Sequence, residues 1–154
     1  MDNSQLTKLF TEAGPLIDAE ELSYDEDEQV WGFTFDGEPP CLFHVGASPQ
    51  HIVLSGEVAP LPEGGRLKLY ELMLRYNDQA VETGSVRFGI DDPEGAATLL
   101  VDLNRDGLTL ESISQLVEGF RGLRRSWMPI LGEWQEEDAS TTPSGFPQGP
   151  IIQV

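Results

Sequence analysis

Apolar residues recur along this chain in two periods, and the switches between them mark out the elements. Leu6, Leu9, Phe10 and Ala13 stand at i, i+3, i+4 and i+7, one face of a short helix, with Asn3 or Ser4 placed to cap it. Gly14-Pro15 stops that helix. Between residues 29 and 35 the period falls to two, with Trp31, Phe33 and Phe35 on one side and Gly32 and Thr34 on the other. Residues 41–45 and 51–58 read as two more strands around the turn Gly46-Ala47-Ser48-Pro49, and Gly37-Glu38-Pro39-Pro40 reads as a turn or linker before them. The three runs together predict an antiparallel meander.

The helical period returns over residues 63–76, with Pro62 near the first turn. Leu67, Tyr70 and Leu74 make one stripe; Leu69, Met73 and Tyr76 make a neighbouring one, and Leu72 widens it. A helix apolar over that much of its circumference meets two partners: its own sheet and, for example, a second subunit. Val86, Phe88 and Ile90 alternate again, Asp91-Asp92-Pro93-Glu94-Gly95 turns the chain, and 97–103 reads as a more buried strand. The last helix spans 108–131 through Leu110, Ile113, Val117, Phe120, Leu123 and Trp127. Thr109 is its N-cap, with Leu108 and Ile113 as a hydrophobic staple. Gly119 and Gly122 each cost roughly 1 kcal/mol relative to Ala, which points to close packing on the sheet. Pro129 is expected to kink or end the helix. The order α-βββ-α-ββ-α predicts an α+β domain over 1–134, with a five-stranded antiparallel sheet and three helices. Past Trp134 an acidic run gives way to Ser, Thr, Pro and Gly, so 135–154 is expected to be a flexible tail.

Charge changes the picture. With 27 acidic and 9 basic residues the chain carries −18. Nucleic acid and anionic membrane are thereby disfavoured as partners, because both need clustered Lys and Arg. No basic residue lies between Lys8 and Arg66, and the carboxylates of 18–28 are expected to stay solvated and extended. The N-terminus lacks a basic stretch followed by an apolar one, and no apolar run approaches a membrane span, so neither a signal peptide nor a transmembrane helix is expected. One cysteine, Cys41, cannot form an internal disulfide, which fits a reducing compartment such as a cytosol.

The candidate chemistry is thin. Asp102-x-Asn104-x-Asp106-Gly107 opens like a calcium loop, but Ile113 occupies the twelfth position, where a bidentate Glu is required. A strand-to-helix turn explains the same residues. Cys41 and His44 point to opposite faces of their strand, and His44 with His51, as cross-strand neighbours, make too few ligands for a structural zinc site, so no metal is expected. Nucleophile, phosphate-loop and dinucleotide motifs are absent, and no catalysis or cofactor is expected. Arg121, Arg124 and Arg125 form the only basic cluster and are expected to pair with acidic segments or the tail. The Trp31-Phe33-Phe35 stripe fits a core better than a groove, and the first helix is the better candidate for a surface that opens to a partner.

Several stretches, taken in order, resemble class I type III secretion chaperones, the Tir-chaperone (CesT-like) family. Leu72-Met73-Leu74-Arg75-Tyr76-Asn77 is similar to the family's second-helix ending, and Phe88-Gly89-Ile90-Asp91 to its fourth strand. Leu108-Thr109-Leu110-Glu111, with Trp127 and Leu131, is similar to its last helix. The resemblance covers roughly residues 3–134. It implies a homodimer joined through the second helix at Leu67, Tyr70, Met73 and Leu74. It also implies ATP-independent binding of the extended N-terminal segment of a secreted effector, kept secretion-competent. Mapped here, that effector surface would draw on Leu6, Leu9, Phe10, Trp31, Phe33 and Phe35. The alternative is a chaperone-like regulator or partner-binding protein with no secreted client.

Overall fold

The computed structural model describes residues 1–79, 82, 85–92 and 94–134. The tail expected at 135–154 lies outside the described residues. Helix α1 (Asn3–Ala13) leads through a 3-10 turn to the strands β1 (Glu21–Asp25), β2 (Val30–Phe35), β3 (Glu38–Val45) and β4 (His51–Pro60). Helix α2 (Arg66–Asp78), strands β5 (Val86–Ile90) and β6 (Ala96–Asn104), and helix α3 (Leu110–Gly132) complete it. All pairings are antiparallel, in the order β1-β2-β3-β4-β6-β5. The α+β class and the three helices agree with the sequence reading, but the sheet has six strands rather than five.

The extra strand is β1, inside the acidic stretch expected to be merely solvated. Leu22 and Tyr24 pair with Phe33 and Trp31 and share their side of the sheet, while Glu21, Ser23 and Asp25 point the other way. An edge strand needs only one apolar side, and charge on the other protects it from stray pairing. The Asp25 carboxylate accepts from the backbone N–H of Asp27 and Glu28, which closes the hairpin into β2. Strand β3 also starts earlier than residue 41, at Glu38, within the stretch expected to be a turn or linker. Asp36-Gly37 makes the turn, with Gly37 at φ +68°, and Glu38 already pairs with Phe35. Pro39 and Pro40 fall at the register shift that follows, where a missing N–H is tolerated.

Caps and ends also shift. Asp2, not Asn3 or Ser4, caps α1, in a reciprocal box with Gln5. Thr109 caps α3 as expected, boxed with Ser112, and both Leu108 and Ile113 are buried. Pro129 does not stop α3, which runs on to Gly132. Gly119 is buried, but a side chain at Gly122 would meet open space, so only the first marks packing.

The helices pack on one face of the sheet. Phe10 meets Trp31, Phe33 and Phe43 at 4.6–5.7 Å between rings, and Phe33 meets Phe43 at 5.9 Å. Tyr76 of α2, Phe88 of β5 and Trp127 of α3 close an edge-to-face triangle at the other end. Between them α3 crosses β4 at Gly56, where an added Cβ would stand 2.8 Å from both Phe120 and Arg124. That closeness lets Arg124, wholly buried, reach the carbonyl of Pro40 at 3.1 Å and Glu38 at 3.2 Å. Arg121 grips the same carboxylate with two bonds of 2.8 and 3.0 Å and lies 3.8 Å over the Phe35 ring. Arg125 adds a looser contact at 3.4 Å. The Arg121 hydrogen bond, against the opposing effect of burial, holds Glu38 at a pKa of about 2. The basic cluster is therefore a clasp joining α3 to the start of β3.

Candidate functional site

A site for chemistry would need convergent polar groups in an enclosed place. His51 Nε2 lies 2.7 Å from Asp102 Oδ1, but the Asp102 carboxylate is shared with the Arg87 guanidinium. Burial opposes ionisation of Asp102, yet the bonds from Arg87 and His51 outweigh it and lower its pKa. These groups lie on the sheet face opposite the helices and tie β4, β6 and β5 together. All are substantially exposed, so Asp102→Ala should cost no more than about 1 kcal/mol in a urea unfolding curve.

The calcium-like residues are committed elsewhere. Asp102 sits within β6, Asn104 Oδ1 accepts from the Asp106 N–H, and the Asp106 carboxylate holds the N-terminal ammonium at 2.9 Å. His44 faces Val53 and His51 faces Gly46, so the histidines are diagonal rather than opposed. Burial, then the nearby His51, lowers the pKa of His44. Cys41 points into the core, and burial pushes its thiol up to about 11. Among the described residues, no group of three or more His, Cys, Asp or Glu could hold a metal ion. No described helix is long and apolar enough to cross a membrane.

Exposed apolar surface is what remains, and it gathers on two sides. On α2 the neighbouring stripes separate. Leu69, Leu72, Met73 and Tyr76 turn into the core, whereas Leu67 is 83% and Leu74 68% exposed, with Tyr70 half-buried between them. A shallow groove of about 890 Å³ runs along this face, edged by Glu71, Arg75 and Asp78. Ile90, at the end of the edge strand β5 beside α2, adds exposed apolar surface. Of the four residues expected to join subunits, Leu67, Tyr70 and Leu74 are thus available. Met73 is not: at 5% exposure it packs in the core, four residues after the equally inward Leu69.

The second side lies at the opposite end of the sheet. Leu6, Phe10, Trp31, Phe33 and Phe35, all expected to touch a client, are at most 4% exposed. They cannot present surface themselves, because α1 lies over the β2 stripe and the two bury each other. Trp31 Nε1 donates to the Thr7 hydroxyl at 2.8 Å, which seals the contact. Only Leu9 of that set is half-exposed, over a groove of about 510 Å³ bordered by Gln5, Lys8 and Glu12. The residues that do reach solvent here are Leu16, in the turn after α1, and Tyr24 of β1, stacked 4.7 Å on Trp31. Leu22 is half-buried beside them. Sequence reasoning missed this edge, although the alternation of Leu22 and Tyr24 was a signal for it.

The Tir chaperone protein (CesT) family matches residues 8–128. Among solved structures, a chain of the ExsC–ExsE complex superposes with a TM-score of 0.70 at 22% identity, covering 85% of this chain and 97% of that one. A chain of the HopA1–SchA chaperone–effector complex gives 0.65 at 14%, covering 84% and 98%. The Yersinia pestis type III secretion chaperone SycH, solved with a stable fragment of YscM2, gives 0.58 at 18%, covering 77% and 95%. No curated protein matches the chain.

Proposed function

Since the chain belongs to the Tir chaperone protein (CesT) family, we propose that it is a class I type III secretion chaperone. In this reading it works in the bacterial cytoplasm as a homodimer, without catalysis and without ATP. It binds the extended N-terminal segment of a secreted effector and keeps that segment unfolded for export.

The observation that carries this reading is the pair of exposed apolar surfaces at opposite ends of one sheet, on a chain of charge −18. One surface serves self-association and the other is left for a client. The outer α2 face, with Leu67, Tyr70 and Leu74, joins the two copies. The α1–β1 side, with Leu9, Leu16, Leu22 and Tyr24, receives the client, and the buried Phe10 and Trp31 support it from beneath. Stacking on Trp31 gives Tyr24 a rigid ring to offer, a low-entropy contact for an extended chain. The net charge keeps the exposed apolar surface from driving aggregation. Two solved neighbours, the HopA1–SchA complex and the SycH complex, are of chaperones held with another chain.

Deleting the gene in its host tests the reading. Export of one type III effector should fall while the others continue, and unchanged export of every effector would count against it. In vitro, Leu16→Asp with Tyr24→Asp should weaken client binding by roughly a hundredfold, since each places a charge where apolar contact is buried. The dimer should be unaffected, as read by calorimetry beside light scattering.

A further inference from the structure

The sheet ends in two edges, β1 and β5, and an unprotected edge pairs with a second copy of itself. β1 is protected by charge. Paired antiparallel with its own copy about Ser23, it would set Glu21 opposite Asp25 on both sides of the centre, carboxylate against carboxylate. β5 has no such protection. Paired with its own copy about Phe88, it would set Val86 opposite Ile90 and Arg87 opposite Gly89, with no like charges opposed. It contains no proline and keeps an unbroken register with β6. Its one charged side chain, Arg87, is already engaged by Asp102.

At this edge stands Asn77, one residue before the end of α2. Its Oδ1 accepts from the Phe88 N–H at 2.7 Å, and its Nδ2 donates to the Phe88 carbonyl at 3.1 Å. The side-chain amide thus makes both of the bonds that a residue on a neighbouring strand would make. The Phe88 groups face away from β6 to do so, and antiparallel alternation turns the backbone groups of Val86 and Ile90 the same way. Phe88 is the middle residue of β5, so no strand can pair along this edge without displacing the amide.

We propose that Asn77 guards the β5 edge: it closes β5 against the β5 of a second copy, and its removal opens a further two-fold contact through which two sheets join. Asparagine suits the position because one side chain supplies both a donor and an acceptor, whereas aspartate lacks the donor and alanine lacks both. The contact is self-complementary. Copies already paired elsewhere would therefore grow into tetramers and longer assemblies, and isolated copies would pair. Asn77 acts in this way whichever face joins the unaltered copies and whatever client the chain holds.

The test compares the unaltered chain with Asn77→Ala, by sedimentation velocity over a concentration series and by amide hydrogen exchange. In the unaltered chain the Phe88 amide should exchange at least about tenfold more slowly than an unbonded edge amide at every concentration. In the variant the Phe88 and Ile90 amides should exchange fast in dilute samples and slowly in concentrated ones, while the largest species at least doubles in mass. A folded variant with the mass distribution of the unaltered chain overturns the proposal. So does a variant that assembles while Phe88 and Ile90 still exchange fast. Should Asn77→Ala not fold, Asn77→Ser, whose short hydroxyl cannot hold both groups, makes the same comparison with the same outcomes. Fast exchange of Phe88 in the unaltered chain overturns the proposal in either case.

Discussion

Leu74→Asp is expected to convert the chain to a monomer at micromolar concentration, where light scattering of the unaltered chain should report about twice 17.0 kDa. Leu74 is 68% exposed on an isolated copy, so an aspartate there loses little on folding and the melting temperature should hold. On the proposed interface the same position is covered. An unpaired carboxylate buried against apolar surface costs several kcal/mol. A two-fold interface is isologous, so one substitution places two carboxylates in it. The dimerisation constant should weaken by at least about a thousandfold, corresponding to about 4 kcal/mol. Met73→Ala is the contrasting change. It removes a core side chain and should lower stability by about 2–5 kcal/mol while leaving the interface face in place. A Leu74→Asp chain that remains a dimer would move the interface off α2.

Glu38→Gln should be the most destabilising single polar change in the domain. It leaves Arg124, 0% exposed, with no carboxylate partner, and removes the counter-charge of Arg121 as well. Breaking a buried pair in this way costs about 3–5 kcal/mol, which for a chain of this size lowers the melting temperature by on the order of 10 °C. Arg124→Met in the same background should recover part of that loss, since the stranded charge goes with it. Arg125→Ala, at an exposed position with one loose contact, should cost almost nothing.

The same carboxylate sets an acid limb. Its folded pKa of about 2 lies below the ordinary 4.5, so the clasp contributes its full stability above pH 4.5. That contribution is lost as the pH falls from 4.5 towards 2, and amounts to no more than about 3 kcal/mol. Acid unfolding of Glu38→Gln should show a correspondingly shallower slope across that window.

Much of this architecture was legible because its signals are local. The cap at Thr109, the alternation in β2, β5 and β6, and the two stripes on α2 all follow from side-chain spacing within a few residues. What escaped depends on partners far along the chain. β1 hides among carboxylates because an edge strand needs only Leu22 and Tyr24 on one side. β3 begins at Glu38 because a register shift absorbs Pro39 and Pro40, and only the position of β2 shows that. The candidate site divided along the same line. The alternation of Trp31, Phe33 and Phe35 already read better as core than as groove, as their burial bears out; only the family resemblance set them, with Leu6 and Phe10, against a client. The exposed places fell instead to Leu16 and Tyr24. On α2, spacing grouped Met73 with the inward Leu69 and Tyr76; only the family resemblance set it beside Leu67, Tyr70 and Leu74. Nothing local announced that Arg124 would be buried, because that requires Gly56 on a strand nearly seventy residues away.

The central claim is that two copies of this chain hold the unfolded N-terminal segment of a secreted protein. It is tested most directly by isolating the chain with its bound partner from the native host, then applying native mass spectrometry and limited proteolysis to that complex. The account predicts two copies of the chain with one exported protein, whose N-terminal segment alone survives protease while bound. Recovery of the chain alone, or with a partner that is not exported or is held through a folded region, would contradict it.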